Sequence, residues 1–203
     1  MLREHVGDAQ EWRYTWQIND DVTFGGSCSF CGRAGLRLTY EVTHQQQCGW
    51  ICEYCVGRYD ISADLDGDEL GPKAARAYAH GLTARLKQQT CKDIIRWVQD
   101  QLTDADLEEV AVYFARNLQL SPLWAARLFL ALMQIGQEAQ AQVFEVQTRS
   151  KLHQQEFGDL DEKARSLVWI ALSQQQRRRL ASLGFAPFGT PGKRVSPAKV
   201  AQL

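Results

Sequence analysis

The sequence lacks the long apolar segments that mark membrane-spanning and secreted proteins. No stretch approaches the roughly 20 consecutive apolar residues that a bilayer-spanning helix needs. The first residues, MLREHVGDAQEWR, are charged where a secretory signal would be apolar. We therefore expect a cytoplasmic protein with no membrane partner. Disulfides are rare in a reducing compartment, so a metal site is the better explanation for the six cysteines.

The sequence also lacks the motifs of the common catalytic sites. It has only four histidines, and none stands beside a carboxylate in a recognisable arrangement. The phosphate-binding pattern G-x-x-x-x-G-K-[ST] is absent, as are H-E-x-x-H and G-x-S-x-G. The zinc-deaminase pair of H-x-E and P-C-x-x-C is missing as well. We therefore expect neither an enzyme nor a small-molecule substrate.

Charge is unevenly distributed along the 203 residues, although the net charge is only −1. Residues 1–70 contain five basic and twelve acidic residues, whereas residues 149–203 contain ten basic and four acidic ones. The uniformly basic surface of a free-standing DNA-binding protein is therefore absent. A contact with a polyanion is expected towards the C-terminus.

The first third of the chain has the pattern of short strands and turns. Two aromatic-rich runs flank Asn19–Asp21, which predicts a hairpin. Residues 36–43 (LRLTYEVT) alternate apolar and polar side chains, as in a strand with one solvent-exposed face. The acidic stretch from Asp60 to Pro72 has no period and is interpreted as a linker.

From Pro72 onward the pattern is helical. Ser121 followed by Pro122 predicts the start of a long helical run from Leu123 to about Lys151. Later N-caps are predicted at Asp161 and at Ser173, the latter in a capping box with Gln176. The prediction is five or six helices.

The fold class predicted is mainly α, with a small β-containing zinc finger followed by a helical bundle. The finger is expected to be of the ribbon or treble-clef type. Residues 1–70 form the zinc-finger module in this interpretation, residues 71–185 the bundle and residues 186–203 a flexible basic tail.

Two cysteine pairs carry the most specific signal in the sequence. Two residues separate Cys28 from Cys31, and after a gap of twenty residues two residues likewise separate Cys52 from Cys55. Each pair fits a turn that points both sulfurs at one ion, and four thiolates satisfy the tetrahedral preference of Zn²⁺. A site with four protein ligands has no open position, which indicates a structural role.

Three alternatives to this ligand set stay open on the sequence alone. Cys48 or His44 could replace Cys52 as a ligand. The run from Cys48 to Cys55 also fits C-x-x-x-C-x-x-C, which holds an iron-sulfur cluster in radical S-adenosylmethionine enzymes, although the helical remainder of the chain does not suit their barrel. Iron can also occupy the same four sulfurs as zinc.

The finger segment resembles a known type. The runs CSFCGRAG and WICEYCVGRY are similar to the zinc-binding domain of the ClpX family of bacterial unfoldases over about thirty residues, but no ATPase motif follows. In architecture, length and cysteine pattern, the whole chain resembles the zinc-finger large subunit of type IV CRISPR effector complexes. That resemblance implies a subunit of an RNA-guided assembly that contacts other subunits, guide RNA and target DNA near the protospacer-adjacent motif.

Basic residues in two regions are the candidates for nucleic-acid contact. The finger candidates flank the cysteine pairs, and the others lie in a basic helix and the region after it. They are Arg33, Arg37, Arg58, Arg177, Arg178, Arg179, Lys193 and Arg194. The finger is also rich in aromatic residues, most of which we expect in the core and one or two on the surface, stacked on a base or filling a partner's pocket.

Two other functions fit the same residues. The finger could serve a protein-recruiting adaptor, as the ClpX resemblance implies, or the chain could be a phage or plasmid inhibitor with a metal-stabilised interface. The sequence does not separate these from a nucleoprotein subunit.

Overall fold

The computed structural model describes residues 6–102 and 105–188, with residues 105 and 106 described for the backbone alone. The chain forms two compact units, Met1–Cys91 and Lys92–Leu203, called here the N-terminal and C-terminal units. The boundary between them lies inside one helix, α2, which runs from Pro72 to Gln101. The domain boundary predicted between residues 70 and 71 falls at the start of that helix instead.

The N-terminal unit is built on a five-stranded sheet with the order β5-β4-β1-β6-β7, beside a two-stranded sheet of β2 and β3. Its elements are a 3₁₀ turn at Ala9–Glu11, β1 Arg13–Asp20, β2 Gly26–Ser27, β3 Ala34–Leu36, β4 Leu38–His44, β5 Gln47–Cys52, α1 Glu53–Arg58, β6 Ser62–Leu65 and β7 Asp68–Leu70. The fold is therefore mixed, with a larger sheet than the small finger that the sequence predicted.

The predicted hairpin across Asn19–Asp21 is wrong. Strand β1 instead pairs antiparallel with β4 and parallel with β6, so both of its partners are distant in sequence. Asp21 does turn the chain, because its carboxylate accepts hydrogen bonds from the backbone amides of Thr23 and Gly25. That turn leads into β2, which pairs with β3 in the separate small sheet.

The predicted linker at residues 60–72 is also wrong, because most of it forms β6 and β7. These strands pair antiparallel around Asp66 and Gly67. Both turn residues have positive φ, 53° and 93°, as a two-residue turn of type I′ requires. The many acidic residues of this stretch suggested a linker. The Asp66-Gly67 pair is the better signal, because it is typical of a two-residue hairpin turn.

Helix α2 packs small side chains against the large sheet. Ala75, Ala79 and Thr83 recur every four residues on one helix face and are all buried. The Thr83 hydroxyl lies 3.0 Å from the hydroxyl of Tyr40 on β4, deep in the same core. The helical pattern predicted from Pro72 onward thus begins as one continuous helix that ends at Gln101.

In the C-terminal unit, α4 is the central helix and contacts α3, α5 and α6. The elements are α3 Ala105–Asn117, α4 Pro122–Gln134, a 3₁₀ turn at Glu138–Val143, α5 Lys151–Asp159, α6 Glu162–Ala171 and α7 Gln174–Ser182. The long helix predicted from Leu123 to about Lys151 is wrong, because α4 ends at Gln134. Gly136, with φ of 69°, follows that end.

The later helix starts are confirmed. The Asp161 carboxylate accepts from the backbone amide of Ala164 at 2.8 Å, as an N-cap does. Ser173 and Gln176 form both hydrogen bonds of a capping box. Across residues 6–102 and 105–188, none of the helices combines the length and the apolar character that a bilayer crossing needs.

Candidate metal centre and the basic residues around it

The four predicted cysteines meet at one point in the N-terminal unit. Their sulfur atoms all lie within 4.8 Å of one another. Two pairs are separated by 3.7 Å, Cys28 from Cys55 and Cys31 from Cys52. Tetrahedral zinc with Zn–S bonds of about 2.3 Å places its ligand sulfurs about 3.8 Å apart. The cluster therefore fits a tetrahedral metal ion, with each short contact joining a member of one sequence pair to a member of the other.

The first pair lies in a tight turn between β2 and β3, residues 28–32, which we call the knuckle. The amide of Cys28 donates to the carbonyl of Arg33 at 2.8 Å, and the amide of Gly32 donates to the carbonyl of Cys28 at 2.8 Å. Gly32 has φ of 73°, a conformation that favours glycine. This turn also brings the amide of Cys31 to 3.5 Å from the Cys28 sulfur.

The second pair lies at the junction of β5 and α1. Cys52 ends the strand and occupies the N-cap of the helix, and Cys55 lies in its first turn. The amide of Cys52 donates to the Cys28 sulfur at 3.3 Å. The knuckle is attached to β5 by two further bonds, since Ser29 donates its amide to the Trp50 carbonyl and accepts from the Trp50 amide at its hydroxyl.

The surroundings of the sulfurs shift their pKa values in both directions. Burial raises the pKa of Cys55, and the neighbouring charge of Cys28 adds to this effect. Burial also acts upward on Cys31, but hydrogen bonds from the Arg33 amide and from the neighbouring thiols outweigh it and lower its pKa to about 7. A metal must therefore displace protons from the deepest ligand, so acid opposes metal binding.

The two substitute ligands considered from the sequence lie outside this cluster. The Cys48 sulfur is exposed and donates to the Glu41 carboxylate at 3.1 Å, which raises the pKa of the thiol. His44 lies beside Glu11, 3.6 Å from its carboxylate. Among the described residues, the cluster of possible metal ligands consists of the four cysteines named above.

Arg37, a predicted nucleic-acid contact, forms an ion pair with Asp20 inside the N-terminal unit. Its guanidinium forms two hydrogen bonds with the Asp20 carboxylate, one of them 2.9 Å long. The side chains are only 13% and 3% exposed, and the Thr90 hydroxyl also donates to Asp20. Arg37 thus holds the end of β1 to the loop after β3, and Thr90 holds the same carboxylate to α2.

Arg33 and Arg58, by contrast, are exposed and lie over aromatic rings. The guanidinium carbons of Arg33 and Arg58 lie 5.3 Å and 5.8 Å from the centre of the Tyr54 ring. Tyr54 itself is 51% exposed, on the first turn of α1. Sequence reasoning named both arginines but not their shared contact. The four-residue spacing of Tyr54 and Arg58 on a helix was the available signal.

The three consecutive arginines of α7 divide between two environments. Arg177 donates to the carbonyls of Trp169 and Ile170 at 2.9 and 2.8 Å, and so caps the C-terminal end of α6. Arg178 and Arg179 are exposed. The other two predicted basic contacts, Lys193 and Arg194, lie outside the described residues.

Comparison of the chain with protein-family models, with curated proteins and with solved structures finds no match.

Proposed function

We propose that this chain is a non-catalytic subunit of a nucleoprotein complex, in which a four-cysteine zinc finger acts as a rigid binding element. The observation that supports it best is the closed cluster of Cys28, Cys31, Cys52 and Cys55, with sulfur spacings that suit tetrahedral zinc. The order of knuckle, hairpin of β4 and β5, and helix α1 is that of a treble-clef finger, so this is the finger type we assign.

Zinc in such a site would serve folding and not catalysis. Four thiolates leave no position for water or substrate, whereas catalytic zinc keeps one open. The ion would join the knuckle to the start of α1 and so hold these two segments in one relative position. This supports recognition as the role of the finger.

A cytoplasmic RNA-guided complex of the type IV CRISPR kind is the assembly that we infer. The sequence resemblance supports it, and so do the two exposed arginines beside the metal site, Arg33 and Arg58. The guanidinium groups of Arg37 and Arg177 bond to groups of this chain, so the proposal does not rely on them. The partners proposed are therefore the other subunits, guide RNA and target DNA, met through a small number of basic side chains.

Expression of the full chain together with its operon neighbours tests this proposal. The expected result is one zinc per chain by elemental analysis and a stable assembly that contains a discrete RNA. The matched control is the Cys28→Ala chain, which should enter the assembly less or not at all, whereas Cys48→Ala should enter as the wild type does. Four irons per chain with a brown chromophore, or an assembly without nucleic acid, would overturn the proposal.

A protein-recruiting adaptor is the second candidate, and apolar side chains on the surface of the C-terminal unit favour it. Val112, Leu118, Leu123 and Leu152 are between 40% and 67% exposed. Exposed apolar side chains of this kind suit a protein partner better than a phosphate backbone. A homodimer free of nucleic acid in the same co-expression experiment would select this function.

A further inference from the structure

The exposed side of the finger carries a tyrosine flanked by two guanidinium groups. Tyr54 lies between the metal ligands Cys52 and Cys55 in sequence and projects to the surface. Arg33 and Arg58 both lie over its ring, and Arg58 also donates to the Tyr54 hydroxyl at 2.8 Å. We call these three residues the Arg–Tyr patch.

The cysteine cluster fixes the members of this patch relative to one another. Arg33 follows the knuckle, Tyr54 is in the first turn of α1, and Arg58 is the last residue of that helix. Arg58 also lies 5.8 Å from the centre of the Tyr59 ring, which contacts the buried ring of Phe30 edge to face. The patch is thus preorganised by the finger and its core and is not an assembly of loose side chains.

The positive charges of the patch are not neutralised by neighbouring carboxylates. Arg13 and Arg37 pair with Glu69 and Asp20. Arg33 and Arg58 have no carboxylate within ion-pair distance in the part of the chain that the structure describes. Residues 1–70 are otherwise rich in acids, and four thiolates on Zn²⁺ would carry a net charge of −2, so Arg33 and Arg58 are the cations that a phosphate would meet beside the cluster.

We propose that the Arg–Tyr patch binds single-stranded nucleic acid, with a base stacked on the Tyr54 ring and the flanking phosphates against Arg33 and Arg58. This inference deepens the proposed function and rests on it for the class of partner. A ring flanked by cations matches the alternation of planar bases and phosphates along a single strand.

A single strand fits this patch better than a duplex for two reasons. Bases inside a duplex are stacked on each other and do not present their faces to a side chain. A duplex would also bring many phosphates close to a unit in which residues 1–70 carry twelve acidic and five basic residues, and repulsion acts over about 10 Å at ordinary salt. A flexible strand can place two phosphates on the arginines and turn the others away.

Fluorescence anisotropy of the full zinc-loaded chain tests the inference. The probe is a labelled oligouridylate of about 12 nucleotides, compared with oligothymidylate and with a blunt duplex of the same length. We expect either single strand to bind more tightly than the duplex, and the comparison of RNA with DNA shows which of them the patch prefers. Tyr54→Ala should weaken single-strand binding about 5- to 150-fold, which corresponds to the 1–3 kcal/mol lost when a stacking aromatic is removed. Tyr54→Phe, which keeps the ring but loses the hydroxyl that Arg58 contacts, should weaken binding less than Tyr54→Ala does.

The arginines should change the salt dependence of binding. Each of Arg33→Gln and Arg58→Gln should reduce the slope of log affinity against log salt by about 0.7, the value for one phosphate contact on a single strand. Tyr78→Ala and Arg85→Gln, which alter exposed residues of α2, are the matched controls and should leave affinity and slope unchanged.

Zinc content is measured for every variant, because the patch adjoins the metal ligands. If Tyr54→Ala loses the metal, the two arginine variants test the inference through the salt dependence of binding.

Tighter binding of the duplex, or patch variants that behave like the controls, would overturn the inference. If RNA still copurifies with the assembly in that case, the proposed function stands and only the Arg–Tyr patch is excluded. Metal loss in both arginine variants, with affinity unchanged when zinc is restored, would show that they only balance the charge of the thiolates.

Discussion

Arg37 and Arg33 show how the same residue type serves two purposes four positions apart. Both flank the knuckle in sequence, and both were predicted to touch nucleic acid. The structure buries Arg37 against Asp20 and leaves Arg33 on the surface. Sequence could not separate them, because the distinction depends on a carboxylate seventeen residues upstream that meets Arg37 only in the folded state.

The Asp20–Arg37 ion pair predicts that Arg37→Ala and Arg33→Ala differ widely in stability. Arg37→Ala leaves the Asp20 carboxylate buried with only Thr90 as its partner, which should lower the free energy of unfolding of the N-terminal unit by about 3–5 kcal/mol. Arg33→Ala should change it by less than about 0.5 kcal/mol. Urea titration of the zinc-loaded chains measures both. Similar midpoints for the two variants would mean that the Asp20–Arg37 pair does not hold β1 in place.

The arginines of α7 permit a parallel test in the C-terminal unit. Arg177→Ala removes two charge-assisted bonds to the end of α6 and should cost about 1–2 kcal/mol, since the side chain is partly exposed. Arg178→Ala should be close to neutral. Thermal unfolding followed by circular dichroism compares the two. Equal melting temperatures would contradict the capping role of Arg177.

At the scale of the element, local signals predicted helices well and strands poorly. The caps at Asp161 and Ser173 were found because the side chain and the amide that it satisfies are three residues apart. Strand β1 was given the wrong partner because β4 and β6 are far along the chain, and period-two patterns do not say which strand pairs with which. The helix from Pro122 was predicted too long, because apolar residues continue past the glycine that follows its end.

Glycine-to-alanine substitutions in the β6–β7 hairpin and in α2 should change the stability of the protein in opposite directions. Gly67→Ala should destabilise the N-terminal unit by about 1–2 kcal/mol, since φ of 93° strains any residue with a Cβ. Gly81→Ala, in the middle of α2 with open space around its Cβ, should stabilise the helix by up to about 1 kcal/mol. Differential scanning calorimetry provides the comparison. Stabilisation by both substitutions would show that the turn at Asp66 and Gly67 is not of type I′.

At the scale of the molecule, the four cysteines that we propose as metal ligands all lie in one unit. The cysteine spacing predicted their convergence, because a four-ligand site needs little beyond two tight turns and a return of the chain. The Arg–Tyr patch was not predicted as a unit, since it depends on how the knuckle lies against α1.

Removal of the metal should therefore affect the two units unequally. Chelation, or the Cys28→Ala substitution, should increase amide exchange throughout β1–β5 and α1, because metal binding contributes to the folding free energy. Exchange in α4 and α6 should change little. Hydrogen exchange with mass spectrometry resolves the two sets of peptides. Uniform loss of protection, or none, would contradict a structural ion confined to the finger.

Acid should release the ion, because protons compete with it for the cysteine sulfurs. The pKa of Cys55 is raised in the protein, so the thiol holds its proton more firmly and zinc must displace it. Zinc affinity should therefore fall steadily as the pH is lowered below 7. Competition with a chromogenic chelator over a pH series measures this. Affinity that does not vary with pH would mean that thiolates are not the ligands.

The 3.7 Å spacing of the sulfurs also has a consequence for oxidative stress. Two-electron oxidation of Cys28 and Cys55 would draw their sulfurs together into a bond of about 2.05 Å and remove half of the donors in one event. Hydrogen peroxide should consequently eject zinc and loosen the finger, and dithiothreitol with added zinc should restore both. The same geometry that favours a cation would thus make the N-terminal unit sensitive to the redox poise of its surroundings.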